Sequence, residues 1–135
     1  MARIMAVDYG DARTGVVFSD LTNTIAGEAM VVTERQAKAV AAKLIELAAS
    51  READTVALGY PLNENDTVGP RAEKTLKLAE RLQKAGLTVE LIDERYTSLE
   101  AQEILHRNGS NNRKKGKLDT IAAALILDAY LKTKN

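Results

Sequence analysis

Residues 1–20 read MARIMAVDYGDARTGVVFSD. An apolar run, Ile4-Met5-Ala6-Val7, stops at Asp8. A turn follows, Tyr9-Gly10-Asp11-Ala12-Arg13-Thr14-Gly15, and then a second apolar run, Val16-Val17-Phe18. Two short apolar runs around a glycine-containing turn predict a β-hairpin whose first strand ends in a carboxylate. Side chains alternate along a strand, so Ile4, Ala6 and Asp8 share a face. Gly10 and Gly15 give the turn freedom, or let something approach the backbone. A carboxylate at a strand end beside glycines suits a divalent cation or a phosphate. Asp and Gly are equally what an ordinary turn uses, and the hairpin alone does not separate the two readings.

Outward from the hairpin, Asn23 to Thr33 predicts a third, antiparallel strand. From Gln36 to Ser50, Ala37, Val40, Ala41, Leu44, Leu47 and Ala48 recur at helical spacing. Asp54 to Leu58 predicts a buried strand ended by Gly59-Tyr60-Pro61, followed by a polar loop, Leu62 to Val68. Gly69-Pro70 opens a second helix with an expected apolar face of Ala72, Leu76, Ala79 and Leu82, closed by Gly86. Thr88 to Ile92 is the next strand, followed at once by Asp93-Glu94-Arg95. Thr97 and Glu100 have capping-box spacing, which starts a third helix running to about His106. Arg107 to Lys117 reads as a basic Gly/Ser/Asn-rich loop, and Leu118 to Leu131 as a helix apolar on most sides. The order predicts one α/β domain over residues 1–135, a mixed sheet with helices on its faces.

Composition narrows the function. Apolar residues make up 45% of the 135, enough for one core, and Lys plus Arg equals Asp plus Glu at 19 each. Net charge therefore points to no partner, and any basic surface must be a local cluster. The absence of cysteine removes disulfides, thiolate catalysis and Cys-rich zinc sites. No apolar run reaches membrane-spanning length and the N-terminus has no signal-peptide pattern, so a cytoplasmic protein without membrane contact is expected.

Four acids stand at informative places. Asp8 closes the first strand, Asp93 and Glu94 close the last, and Asp119 is expected in the first turn of the final helix. If the first strand is central and parallel to the later ones, these acids gather at the carboxyl end of the sheet, where open α/β sheets place ligands. Carboxylates converging without cations repel one another, and Mg²⁺ or Mn²⁺, which prefer oxygen ligands, resolves that conflict. Asp119 is also explained as a favourable charge at a helix N-terminus. Alternation puts Asp93 with Val89 and Leu91, so it favours Asp93 only if that face holds the site; the choice between Asp93 and Glu94 stays open. Arg107, Arg113, Lys114, Lys115 and Lys117 immediately precede Asp119, and a polyanion needs such cations. Gly69 at a helix start is a second candidate phosphate contact. His106, the only histidine, is given no role.

Taken together, Asp8-x-Gly10-x-x-Arg13-x-Gly15, Gly59-Tyr60-Pro61-Leu62 with Gly69, Asp93-Glu94-Arg95-Tyr96-Thr97-Ser98 and Asp119-Thr120-Ile121-Ala122-Ala123 resemble the YqgF/RuvX family. These are RuvC-like Holliday-junction resolvases, also described as nucleases of ribosomal RNA precursors. The resemblance spans essentially the whole chain. It implies an RNase H-like fold, a five-stranded mixed sheet with helices on both faces, and metal-dependent phosphodiester hydrolysis. It implies Asp8, Glu94 and Asp119 as catalytic acids, and Asp8, Asp119 and the Asp93–Glu94 pair as the source of ligands for Mg²⁺ or Mn²⁺. Arg13 and Arg95 match family positions, for phosphate contact or for orienting the carboxylates. With the basic residues Arg113, Lys114, Lys115 and Lys117 they form the expected nucleic-acid-binding set. One departure stands out: RuvC-type nucleases commonly carry an acid at the end of the fourth strand, where this chain reads Gly59-Tyr60. The expected substrate is precursor ribosomal RNA, in 5′-end processing of pre-16S rRNA. Branched DNA and a non-catalytic RNA-binding role in ribosome assembly are the alternatives. An actin-like or sugar-kinase-like nucleotide phosphatase ranks last, because that architecture encloses its nucleotide between two such domains. A monomer or weak dimer is expected.

Overall fold

The computed structural model describes residues 3–20, 26–60, 69–93 and 115–134, with only the backbone at 26, 115–119 and 134. Five strands, β1 (Arg3–Tyr9), β2 (Thr14–Ser19), β3 (Ala26–Val32), β4 (Ala53–Tyr60) and β5 (Thr88–Asp93), form one sheet in the order β3-β2-β1-β4-β5. β2 pairs antiparallel with β1 and with β3, whereas β1, β4 and β5 run parallel. The hairpin therefore supplies the central strand, and the mixed α/β sheet expected from the sequence is observed. β1, β4 and β5 all end at one edge, at Tyr9, Tyr60 and Asp93.

The two faces are covered differently. Met5, Val7, Val16, Phe18, Val56 and Leu58 pack beneath α1 (Ala37–Ser50) and α2 (Pro70–Lys84). Ala6, Val17 and Ala57, each one residue out of step, pack beneath α3 (Lys115–Lys134) through Ala123, Ile126, Leu127 and Tyr130. Strands covered on both faces need near-continuous apolar runs, and TGVVFS of β2 is buried at every residue. Each fully buried Leu or Phe in these layers contributes about 1.5–3 kcal/mol relative to exposure. At the register shift between Arg3 and Ile4 in the β1–β4 ladder, the Ile4 N–H donates to the buried Ser19 Oγ at 2.9 Å, so that donor is satisfied.

Several boundaries differ from those read in the sequence. β4 runs through Gly59 to Tyr60 instead of ending before them, because Gly59 and Tyr60 stay in register with Ile92 and Asp93 of β5. Asp93 is the last residue of β5 and closes it, as expected. On α2, Leu76 is 40% exposed while Thr75 and Leu78 are buried. The packed stripe follows Ala72, Thr75, Ala79 and Leu82, and the Thr75 hydroxyl satisfies itself by donating to the Arg71 carbonyl at 2.9 Å. α2 ends in a Schellman motif: Gly86 has φ +98°, its N–H bonds to the Gln83 carbonyl, and the Leu87 N–H to that of Leu82. α3 begins at Lys115, earlier than the expected Leu118, so Lys115 and Lys117 belong to a helix and not to the basic loop. The helix expected over 97–106 lies outside the described residues.

Candidate active site at the carboxyl edge of the sheet

Asp8 is the next-to-last residue of the central strand and is half-buried. Ile4 and Ala6 pack against the α3 layer, and Tyr9 against the α1–α2 layer. The period of two therefore sets Asp8 on the α3 side of the edge. Its partner across the hairpin is Gly15. On the other flank the last registered pair is Val7 with Leu58, and the next residue of β4 is Gly59. The carboxylate is bracketed by residues without side chains, which leaves lateral room for a cation or a phosphate oxygen. Gly59, next along β4, contributes this space. Gly10 holds the turn that follows. A Cβ there would collide with the Arg13 carbonyl oxygen, so any side chain forces the Asp8–Arg13 segment to move.

Asp93 stands on the other side. It follows Val89, which packs on the α1–α2 layer, and Leu91, which is registered with Leu58 of that same layer; Ile92 packs on the α3 layer with Ala6. Asp8 and Asp93 reach one edge but opposite faces. Asp8, Arg13 and Asp93 each take part in a polar or electrostatic interaction, so none of them is free.

Asp119 is the fifth residue of α3, and that helix has no acid in its first turn. A charge at a helix N-terminus acts within the first turn, so the dipole explanation for Asp119 loses its basis. The backbone at 119 lies one turn before Ala123 and two before Ile126, residues buried against β1 and its neighbours. Glu94, Arg95, Arg113 and Lys114 lie outside the described residues, as do Tyr96 and His106. Among the described residues no group of three acidic or histidine side chains gathers at one point. What is described fits a hard cation: the donor is a carboxylate at a strand end, flanked by glycines, in a chain without a thiol.

On the α1–α2 side of the same edge, Tyr9, Asp11, Arg35, Ala37, Lys74 and Lys77 line a pocket of about 240 Å³. Burial holds the Tyr9 phenol above its ordinary pKa, with Asp11 adding to the rise and Arg81 opposing it. The hydroxyl stays protonated, a donor as well as an acceptor. Of these, Arg35, Lys74 and Lys77 were not among the candidates read from the sequence. The signal was present in the i, i+3, i+7 spacing of Lys74, Lys77 and Arg81, but only the fold brings that stripe to β1.

Residues 2–133 match the model of the family described as RuvX, Holliday junction resolvase. The chain belongs to the RuvX family. A relative from Endomicrobium trichonymphae, named "Putative pre-16S rRNA nuclease", is 36% identical, with 97% of this chain and 96% of the relative covered. In fold, the RuvX chain is similar to the fowlpox virus resolvase solved with its substrate Holliday junction DNA (TM-score 0.63, 17% identity, 98% of each chain). It is also similar to Thermus thermophilus RuvC solved with a Holliday junction substrate (TM-score 0.60, 15% identity, 98% of this chain and 96% of that one). The RuvC-like, RNase H-like architecture expected from the sequence is therefore the observed one.

Proposed function

We propose that this RuvX chain is a metal-dependent nuclease that hydrolyses phosphodiester bonds of structured nucleic acid. Its proposed substrate is precursor ribosomal RNA, in 5′-end processing of pre-16S rRNA in the cytoplasm. The observation that carries this reading is Asp8, at the carboxyl end of the central strand, between Gly15 and Gly59. The name borne by the Endomicrobium relative favours ribosomal RNA as substrate, and the family description keeps branched DNA as the second candidate.

In this reading Asp8, Glu94 and Asp119 hold Mg²⁺ or Mn²⁺. Glu94 is preferred to Asp93 because it follows Ile92 by two residues, and Ile92 packs on Asp8's side of the sheet. Asp119 joins them from the helix that covers that side. Bound there, the cation would activate water and neutralise charge on the departing oxygen. The carboxylates fix where the cation sits, and the glycines beside Asp8 let the scissile phosphate approach. Arg13, Arg95, Arg113, Lys114, Lys115 and Lys117 are assigned to the phosphate backbone, where each contact adds salt-sensitive affinity. All 135 residues are taken to act as one domain.

The test is cleavage of labelled precursor 16S rRNA and of a four-way DNA junction, each with Mg²⁺, Mn²⁺ or EDTA. Wild type should cut in metal and not in EDTA, and Asp8→Asn should lose at least about a hundredfold in rate, as loss of a charge-stabilising group does. Salt-sensitive binding without cutting in any metal would replace this reading with a non-catalytic assembly role.

A further inference from the structure

The pocket on the α1–α2 side of the edge is separate from the carboxylate site. Its walls are the last residue of β1 (Tyr9), the hairpin turn (Asp11), Arg35 just before α1, the first residue of α1 (Ala37), and Lys74 and Lys77 of α2. Three cations face one carboxylate. That carboxylate neutralises little, because Asp11 is largely exposed and stands 3.8 Å from Lys74 Nζ. Arg81, one turn beyond Lys77, acts electrostatically on Tyr9 and extends the basic stripe.

One further feature gives the pocket the same polarity, and a second lies next to its wall without lining it. α1 has no side-chain cap at Gln36 and no acid in its first turn, so the positive end of its backbone dipole has no compensating carboxylate of its own. Thr14, registered with Tyr9 on one side and Val32 on the other, is fully buried, and its Oγ1 has no hydrogen-bond partner among the described residues. A hydroxyl with unused capacity therefore stands directly beside a wall of the pocket. Cationic side chains, a phenol and a helix N-terminus around a volume that holds a small oxyanion are the chemistry of phosphate recognition.

We propose that this pocket binds a phosphate group, contributed by the nucleic-acid strand that carries the scissile bond. The strand as source rests on the nuclease reading; the phosphate site does not. Tyr9 follows Asp8 in the chain, so a strand crossing the edge of the sheet meets Asp8 on one face and this pocket on the other. A phosphate held here fixes the register in which the strand is presented.

The experiment has two arms on the full-length protein. In the first, inorganic phosphate is titrated into ¹⁵N-labelled protein against chloride at matched ionic strength, following the amides of Tyr9, Arg35, Ala37 and Lys38. Saturable shifts are expected, weakened at least tenfold in the double variant Lys74→Gln/Lys77→Gln and strengthened in Asp11→Asn, an opposite sign that a structural lesion would not produce. In the second arm, binding of a fluorescein-labelled stem-loop RNA and of a four-way DNA junction is measured in EDTA across NaCl concentrations. The double variant should bind more weakly, with a log–log salt slope shallower by about 1. Absence of phosphate-specific shifts overturns the site, whatever the nucleic acid does. Phosphate shifts with unaltered nucleic-acid binding uphold the site and overturn the strand as its source. A wild type that binds neither nucleic acid overturns the nuclease reading, and the first arm alone then decides the pocket.

Discussion

Asp93 and Glu94 are adjacent acids of similar chemistry, and the sheet places Asp93 on the face opposite Asp8. Asp93 continues the row of Val89 and Leu91 on the α1–α2 side, whereas Asp8 continues Ile4 and Ala6 on the α3 side. If Glu94 and not Asp93 completes the acid set with Asp8, Glu94→Gln should cost at least about a hundredfold in cleavage rate. Asp93→Asn should stay within about tenfold of wild type, with its metal titration unmoved. The reverse ranking, measured in the same cleavage assay, would place the site's third acid on the other face and overturn the assignment.

At the scale of elements, the joint between α1 and β4 carries a backbone cost. Glu52 has φ +57°, a left-handed conformation that a non-glycine residue adopts at a penalty of roughly 1–2 kcal/mol. It is held there because its N–H bonds to the Ala49 carbonyl while its own carbonyl accepts from the Arg3 N–H at the start of the central strand. α2 makes the equivalent turn with Gly86, at no such cost. Glu52→Gly should therefore stabilise the protein by about 0.5–1 kcal/mol, the penalty less glycine's greater freedom in the unfolded chain, read as a rise in urea midpoint at constant slope. A fall in the midpoint would mean that the Glu52 side chain contributes more than its backbone costs.

Across the whole molecule, one ion pair ties distant parts of the sheet to α1. Arg51, at the end of α1, donates to both carboxylate oxygens of Glu28 on β3, at 2.8 and 3.1 Å, and lies 5.9 Å over the ring of the buried Phe18. The Arg51 hydrogen bond lowers the Glu28 pKa. A carboxylate depressed in the folded state adds stability above its unfolded pKa and loses it as pH falls through the folded one. Glu28→Gln should then melt below wild type at neutral pH, by a small margin as for other exposed pairs, and the two should converge below the ordinary glutamate range. A gap that persists at low pH would assign the effect to packing. The edge strand that carries the exposed Glu28 and Ala29 is held by its ladder with β2 and by Met30 and Val32 packing on the core, and the ion pair adds to these.

Local patterns were enough for much of this. The alternation of Ile4, Ala6 and Asp8, the helical spacing of Val40, Leu44 and Leu47, and Gly86 at a helix end are consequences of neighbouring residues, and each was legible in the sequence. Asp8 as a strand-end carboxylate was legible for the same reason. The extension of β4 through Gly59 and Tyr60 was not, because it depends on pairing with β5, more than 30 residues away. Nor was the burial of Thr75 in place of Leu76, which is set by where α2 lies on the sheet. Which face of the edge Asp93 takes, and that Arg35, Lys74 and Lys77 meet Tyr9 around one pocket, follow from strand order and helix placement. Periodicity says which residues of an element share a side. Only packing one element on another says what that side faces.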